Sequence, residues 1–305
     1  MATDFQNTSS YSGKSAGEYI KAAFLANDTL QNITVKENID YRQVVKKLVN
    51  DISFGAQACA WTPTGEVTLT ERWITLKKFQ VQQEICINKF LADFPALEAQ
   101  QGRLDANFTE ALITNMLEGI AAENERQVWV GDATANPTTE YDGLLTLIGA
   151  DVDNDVNFVS SPVAIDSTNV FAKIQALIAA LPTAVKYGNE KPTIYMDPSV
   201  WEAFMYASAA AGNGWYTYGG AEVPKTFMGT YPIAVCPGMP SGESTMIMAP
   251  KSNLWFGTNV LNDWNNVTVV DMTQFAEDNV RFSAKFFAAA QYGIGSKIAA
   301  YSTWF

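Results

Sequence analysis

The sequence predicts an α+β chain in which one long helix and two long β-hairpins frame a mixed α/β layer. Three stretches carry that reading. Residues 107–130 read as one unbroken helix, with Asn107 as N-cap and Glu110 three residues on, placed to reach back to the cap amide. Phe108, Leu112, Met116, Ile120 and Gln127 fall near one face, with Ala111 and Leu117 beside them. Glu118, Glu123, Asn124, Glu125 and Arg126 lie mostly on the other, which is expected to stay wet, and Gly131 is expected to supply a left-handed stop. At 1.5 Å per residue the rod is roughly 34 Å long, well above the usual helix. Residues 279–292 are the longest strand signal: Val280, Phe282, Ala284, Phe286, Ala288 and Ala290 face one way, and Arg281, Ser283, Lys285 and Gln291 the other. Between these, residues 170–205 alternate helix, strand and helix.

Taken in order, residues 1–14 are small and polar and read as a flexible arm. Residues 16–26 look helical, with Tyr19, Ile20, Ala23 and Phe24 together. A second helix is expected from Asp40, where Tyr41, Val44, Val45, Leu48 and Ile52 recur at helical spacing. Residues 54–87 change to strands around a turn at residues 62–66. Trp61, Trp73, Ile74 and Phe79 are bulky groups in a segment too thin for a core of its own, and such a hairpin is marginal alone in water. It therefore lies on another surface, either its own body or a neighbouring subunit. Residues 88–99 form a short helix broken at Pro95, and 142–148 a turn and strand.

Asp151, Asp153 and Asp155 alternate like the start of a calcium loop, but Val156 stands where that loop needs glycine and Pro162 where it needs glutamate. A solvated acidic loop is expected. Val170, Ile174, Leu177, Ile178 and Leu181 make an amphipathic helix closed by Pro182, and 192–196 a strand. Asp197-Pro198 opens a helix carrying Val200, Trp201, Phe204 and Met205, and 207–220 reads as a surface loop. Short strands follow at 231–236, 245–249 and 254–256, and 267–272 pairs with the long strand as a terminal hairpin. Spanning roughly 46 Å, that hairpin is long enough to run beside the long helix.

Composition excludes whole classes of chemistry. The 305 residues contain no histidine, which removes Ser-His-Asp and Cys-His arrangements and most zinc and iron sites. Cys59, Cys86 and Cys236 lack CxxC spacing and read as reduced thiols. A net charge of -12 disfavours binding to phosphate backbones. Ser12-Gly-Lys-Ser15 has the end of a phosphate loop but Thr8 where its first glycine belongs, and Gly293-Ile-Gly295 lacks a third glycine. The start of the chain has no signal-peptide pattern and no apolar run reaches membrane-spanning length, so a soluble protein made in the cytoplasm, with no catalytic residue, cofactor or metal, is expected.

The order of elements (arm, helix, aromatic hairpin, long helix, α/β layer, terminal hairpin) resembles the major capsid proteins of tailed bacteriophages, the HK97-type fold. Asn124-Glu-Arg-Gln-Val-Trp-Val-Gly-Asp132 followed by Tyr141-Asp-Gly-Leu-Leu145 is similar to the end of that family's spine helix. Lys191-Pro-Thr-Ile-Tyr-Met-Asp-Pro-Ser-Val-Trp201 is similar to its axial strand-to-helix turn. Tyr231-Pro-Ile-Ala-Val-Cys-Pro-Gly-Met-Pro240 and Asn253-Leu-Trp-Phe-Gly-Thr258 complete the set. The resemblance implies an N-terminal arm at 1–35 and a peripheral domain at 36–51 and 88–144. It further implies an extended loop at 52–87, an axial domain at 145–260, and a return to the peripheral domain over 261–305. It implies pentamers and hexamers of the chain in an icosahedral shell, with intersubunit contacts at Trp61, Pro63, Thr64, Glu66 and Trp73. It also implies a separate scaffolding protein or earlier cleavage, a portal, and double-stranded DNA held without sequence-specific contact behind acidic walls, and it leaves open whether decoration proteins are present. Encapsulin-type nanocompartments share the fold and are one alternative; a carboxylate-dependent hydrolase is another.

Overall fold

The computed structural model describes residues 8–12, 28–50, 54, 67–86, 106–152, 154–210, 225–259, 266–272, 277 and 279–304. In chain order the elements begin with β1 (Thr8–Ser12), α1 (Asp28–Asn32), β2 (Thr34–Lys36), β3 (Arg42–Asn50), β4 (Val67–Thr75) and β5 (Lys77–Cys86). The long helix α2 (Ala106–Val130) and α3 (Leu144–Ala150) follow. Next come β6 (Asn157–Phe158), α4 (Val170–Ala180), α5 (Thr183–Lys186), β7 (Thr193–Met196) and α6 (Pro198–Ala210). The last third holds β8 (Thr226–Phe227), β9 (Tyr231–Val235), β10 (Met246–Ala249), β11 (Leu254–Gly257), β12 (Asn266–Asp271), β13 (Asn279–Tyr292) and β14 (Ala299–Tyr301).

β13 organises one half. It is antiparallel to β12 over 280–285, to β5 over 279–288 and to β11 over 289–292, while β1 extends the sheet beyond β12 and β2 beyond β11. The expected alternation holds: Val280, Phe282, Ala284, Phe286, Ala288 and Ala290 are all buried. They share a core with Leu117, Ile120, Val128 and Trp129 of α2, so the terminal hairpin does run beside the long helix. Burying a side chain of phenylalanine size stabilises by about 1.5–3 kcal/mol, and this core contains many.

A second six-stranded sheet, ordered β6-β14-β10-β7-β9-β8, forms the other half. Val170, Ile174 and Leu177 of α4 and Val200 and Phe204 of α6 pack with Ile194, Met196, Met246 and Met248 of its strands. α4, β7, α6 and β9 to β13 stand where the periodicity put them, although α6 runs to Ala210 into the expected loop. The third sheet is a ribbon of two strands, β3 and β4, paired from Arg42↔Thr75 to Asn50↔Val67.

Several expectations are overturned. Residues 42–50 are a strand rather than a helix: Val44, Val45 and Val49 are β-branched, and pairing with β4 satisfies their backbone in a ladder. The hairpin thus takes its first strand from before residue 54. Residues 144–150 are a helix rather than a strand, because Leu144, Leu145 and Ile148 fall on one helical face and are fully buried. The arm is no free tail, since Thr8–Ser12 pairs with β12, and Leu30 and Ile33 around α1 are core residues.

Gly131 is not at positive φ. Its requirement is space, because a Cβ there would lie 2.2 Å from the Tyr141 carbonyl oxygen. α2 begins at Ala106, one residue before the expected cap. Asn124 and Glu125 are buried rather than wet: Glu125 accepts a hydrogen bond from Thr29 Oγ1, and the Tyr141 hydroxyl donates to Asn124 Oδ1 at 2.9 Å. Nor are Asp151 and Asp155 solvated; both accept backbone hydrogen bonds inside the fold. The helices expected at 16–26 and 88–99, and Asp153, lie outside the described residues.

Candidate functional site

For a chain without catalytic signals, the site is a surface, and the β3–β4 ribbon is the part least explained by its own fold. Directly paired residues of an antiparallel ladder share a face. Gln43 opposes Ile74 and Val45 opposes Arg72; Ile74 and Arg72 turn inward. Ile74 is buried with Ile39, Leu76, Phe287 and Ala289 over Gly257, where a Cβ would sit 2.6 Å from Ile74 Cδ1. The opposite face carries Val44 beside Trp73 and Lys46 beside Glu71. Trp73 is 38% exposed, Leu69 53% and Tyr41 69%, with Phe54 fully exposed further along.

Charges flank the exposed apolar groups. The Arg42 guanidinium lies 3.7 Å from the Trp73 ring centre, and Lys46 Nζ is 3.4 Å from Glu71 Oε1. Contacts of this exposed kind contribute about 0–1 kcal/mol each, too little to account for a row of apolar groups in water. Aromatic and arginine side chains around an apolar stripe are what a protein interface is made of.

Three attachments fix the ribbon's base. Gln291 Nε2 donates to the Trp73 carbonyl at 3.1 Å. Ile74 fills the small core just described. Arg72 Nη2 lies 3.3 Å from Asp155 Oδ1, and the guanidinium sits 4.0 Å from the Tyr292 ring centre.

At the end of α2, Arg126 Nη2 bridges Glu123 at 2.7 Å and Glu140 at 2.6 Å, while the Asp132 amide donates to Glu140 Oε2 at 2.9 Å. The Asp132 amide, then Arg126, hold the Glu140 carboxyl below its ordinary range; the Arg126 hydrogen bond does the same for Glu123, and Glu123 in turn raises Arg126. On the second sheet's half, Tyr187, Tyr206 and Met228 stand well exposed.

Of the five contact residues expected from sequence, Trp73 is on the ribbon's outer face, and Trp61, Pro63, Thr64 and Glu66 lie outside the described residues. Arg72, Asp155 and Tyr292 were not singled out as a site. Residues 83 apart in sequence meet there, and no local pattern announces it. Among the described residues no group of three or more carboxylates and thiols stands close enough to hold a metal ion, and no helix is long and apolar enough to cross a membrane.

A long helix against a long hairpin, a separate α/β half and a projecting two-stranded ribbon together make the HK97-type fold of shell-forming proteins. The chain belongs to the Phage capsid family, whose pattern matches residues 71–292. Among solved structures, the capsid of a native GTA particle aligns at TM-score 0.65 with 16% identity, over 92% of this chain and 89% of that one. A satellite phage P4 procapsid aligns at 0.57 with 10% identity, over 94% and 98%. Gordonia phage Cozz aligns at 0.55 with 13% identity, over 89% and 84%. No match was found among curated proteins. The chain is a capsid protein that forms the shell of a phage particle, and its place is the virion.

Proposed function

We propose that copies of this chain assemble as pentamers and hexamers into an icosahedral shell, each laying its β3–β4 ribbon over a neighbour. The observation that carries this reading is the ribbon's outer face, which presents Leu69 and Trp73 to water on a sheet that has two strands among the described residues. Trp61, Pro63, Thr64 and Glu66 extend the same contact, with residues 52–87 as the reaching loop. Residues 36–51 and 88–144 belong to a peripheral domain, 145–260 to an axial domain whose loops meet at the ring centres, and 261–305 to the return. The net charge of -12 suits a wall around double-stranded DNA that must not stick to it. A scaffolding protein and a portal complete the set of partners, and assembly takes place in the host cytoplasm.

The test is Trp73→Glu, which puts a charge into the apolar face while leaving the cores alone. Electron microscopy and sedimentation are expected to show shells or rings for the parent and soluble, folded subunits for the variant. Parental shells from the variant would refute the ribbon contact. Nucleic acid rather than enzyme cargo inside purified particles separates this reading from a nanocompartment.

A further inference from the structure

We propose that Arg72 and Asp155 are positioning residues: their ion pair clamps the tilt of the ribbon and so sets the angle at which one copy meets the next. The inference rests on the ribbon being an intersubunit contact. Its physical basis is where the ribbon stops being held. Moving outward along β4, Leu76 and Ile74 are buried in the small core, the Trp73 carbonyl takes the Gln291 amide, and Arg72 reaches Asp155. Beyond Arg72, the described side chains of the ribbon bond only to each other, as Lys46 does to Glu71. Arg72 is therefore the outermost described anchor, and the remaining strand pivots about it.

The clamp has a rigid jaw. Asp155 Oδ2 accepts the Gly295 amide at 3.2 Å, and a Cβ on Gly295 would fall 1.8 Å from Asp155 Oδ1, so the carboxylate is seated against bare backbone. The Asp155 amide is in turn held by buried Asp151 at 3.2 Å, whose other oxygen takes the Val156 amide at 3.1 Å. On its other side the guanidinium lies over Tyr292, the last residue of β13. The Arg72 and Asp155 side chains are only 15% and 17% exposed, so water screens the pair poorly. Arginine suits such a place because one planar group serves both a carboxylate and a ring. The three partners come from the ribbon, the loop leading to β6 and the end of β13, so the pair ties the ribbon to both halves of the fold.

Leverage makes the tilt matter. Nine residues of strand at about 3.3 Å each reach about 30 Å, so a 10° swing at the base moves the far end by about 5 Å. A displacement of that size moves an interface side chain past its whole pocket.

The experiment measures the tilt before assembly and the shell after it. Spin labels are placed at Lys46→Cys on the ribbon and Glu118→Cys on α2, with Cys59 and Cys86 replaced by serine, and the distance distribution is recorded by pulsed EPR on unassembled subunits. The parent is expected to give one narrow distribution. Asp155→Asn removes the charge yet keeps an oxygen for the Gly295 amide; it is expected to broaden the distribution by about 2 Å, the share of that swing felt at Lys46, four residues out from the base. Arg72→Lys keeps charge without the planar fork and falls between. Shells from Asp155→Asn are expected to vary in diameter at unchanged thermal stability of the subunit. A parental distribution in both variants would overturn the clamp, and so would broadened ribbons that still build shells of one parental diameter. Failure of the ribbon contact itself is read separately, from parental assembly of Trp73→Glu.

Discussion

β13 and β4 are both long strands with alternating side chains, and they end in opposite circumstances. β13, fourteen residues long, has strands along both edges and α2 over one face, and even Phe287 and Ala289 on its other face are buried. β4, nine residues long, pairs among the described residues with β3 alone and turns Trp73 and Leu69 to water. The same strand chemistry is covered by the chain itself in one place and stands open to water in the other. The difference teaches where the free energy of folding is spent: it is secured by β13 and its neighbours, and under the proposed function the ribbon's exposed face is what a second copy covers.

The hardest way to break the comparison is to damage the finished strand. Phe282, almost fully buried against α2, is expected to cost about 3–5 kcal/mol when replaced by alanine, which urea titration of the subunit would register. Assembly would then fail because the subunit unfolds. Next in size is Gly131→Ala, where the new methyl meets the Tyr141 carbonyl oxygen and the end of α2 must shift; about 1–3 kcal/mol is expected in the same titration. On the unfinished strand the order reverses. Trp73→Ala is expected to change subunit stability by less than about 1 kcal/mol, chiefly the lost Arg42 stacking, while shell yield collapses. A Trp73→Ala subunit as unstable as Phe282→Ala would show that the ribbon is part of the folding core after all.

The same contrast explains what could be read from sequence. Residues 107–130, 170–181 and 279–292 were legible because one face is apolar over many turns or alternations, and a long window averages out local ambiguity. Residues 42–50 were not: Val44, Val45 and Leu48 fit a helical face as well as a strand, and only pairing with residues 67–75 decides between them. At 144–150 the short run Leu144 to Ile148 is equally ambiguous, and the decision comes from the core it enters. Asn124 and Glu125 looked like a wet flank because their partners, Tyr141 and the distant Thr29, are invisible to periodicity. The exposure of Trp73 was legible as a bulky group in a segment too thin for a core, whereas Arg72 drew no notice and Asp155 read as part of a solvated acidic loop until the fold brought them together.

The smallest effect sharpens the comparison through pH. Glu140 ties the end of α2 to the loop after it, accepting the Asp132 amide and Arg126, and its carboxyl is held below the ordinary value of 4.5, first by that amide. A carboxyl with a depressed folded value binds fewer protons folded than unfolded. Its contribution is therefore complete above the unfolded value near 4.5 and is lost as pH falls through the folded one. Glu140→Gln cannot take up that proton on unfolding, so it is expected to lower stability by about 1 kcal/mol at pH 7 and to narrow its deficit against the parent below pH 4. Thermal melts of the unassembled subunit at several pH values measure this. The ribbon's exposed Lys46–Glu71 pair contributes at most about 1 kcal/mol, so Glu71→Gln is expected to cost less stability at pH 7 than Glu140→Gln does. Equal losses from the two variants at pH 7 would erase the distinction between a body whose charges are built into its fold and a ribbon whose charges stand in water.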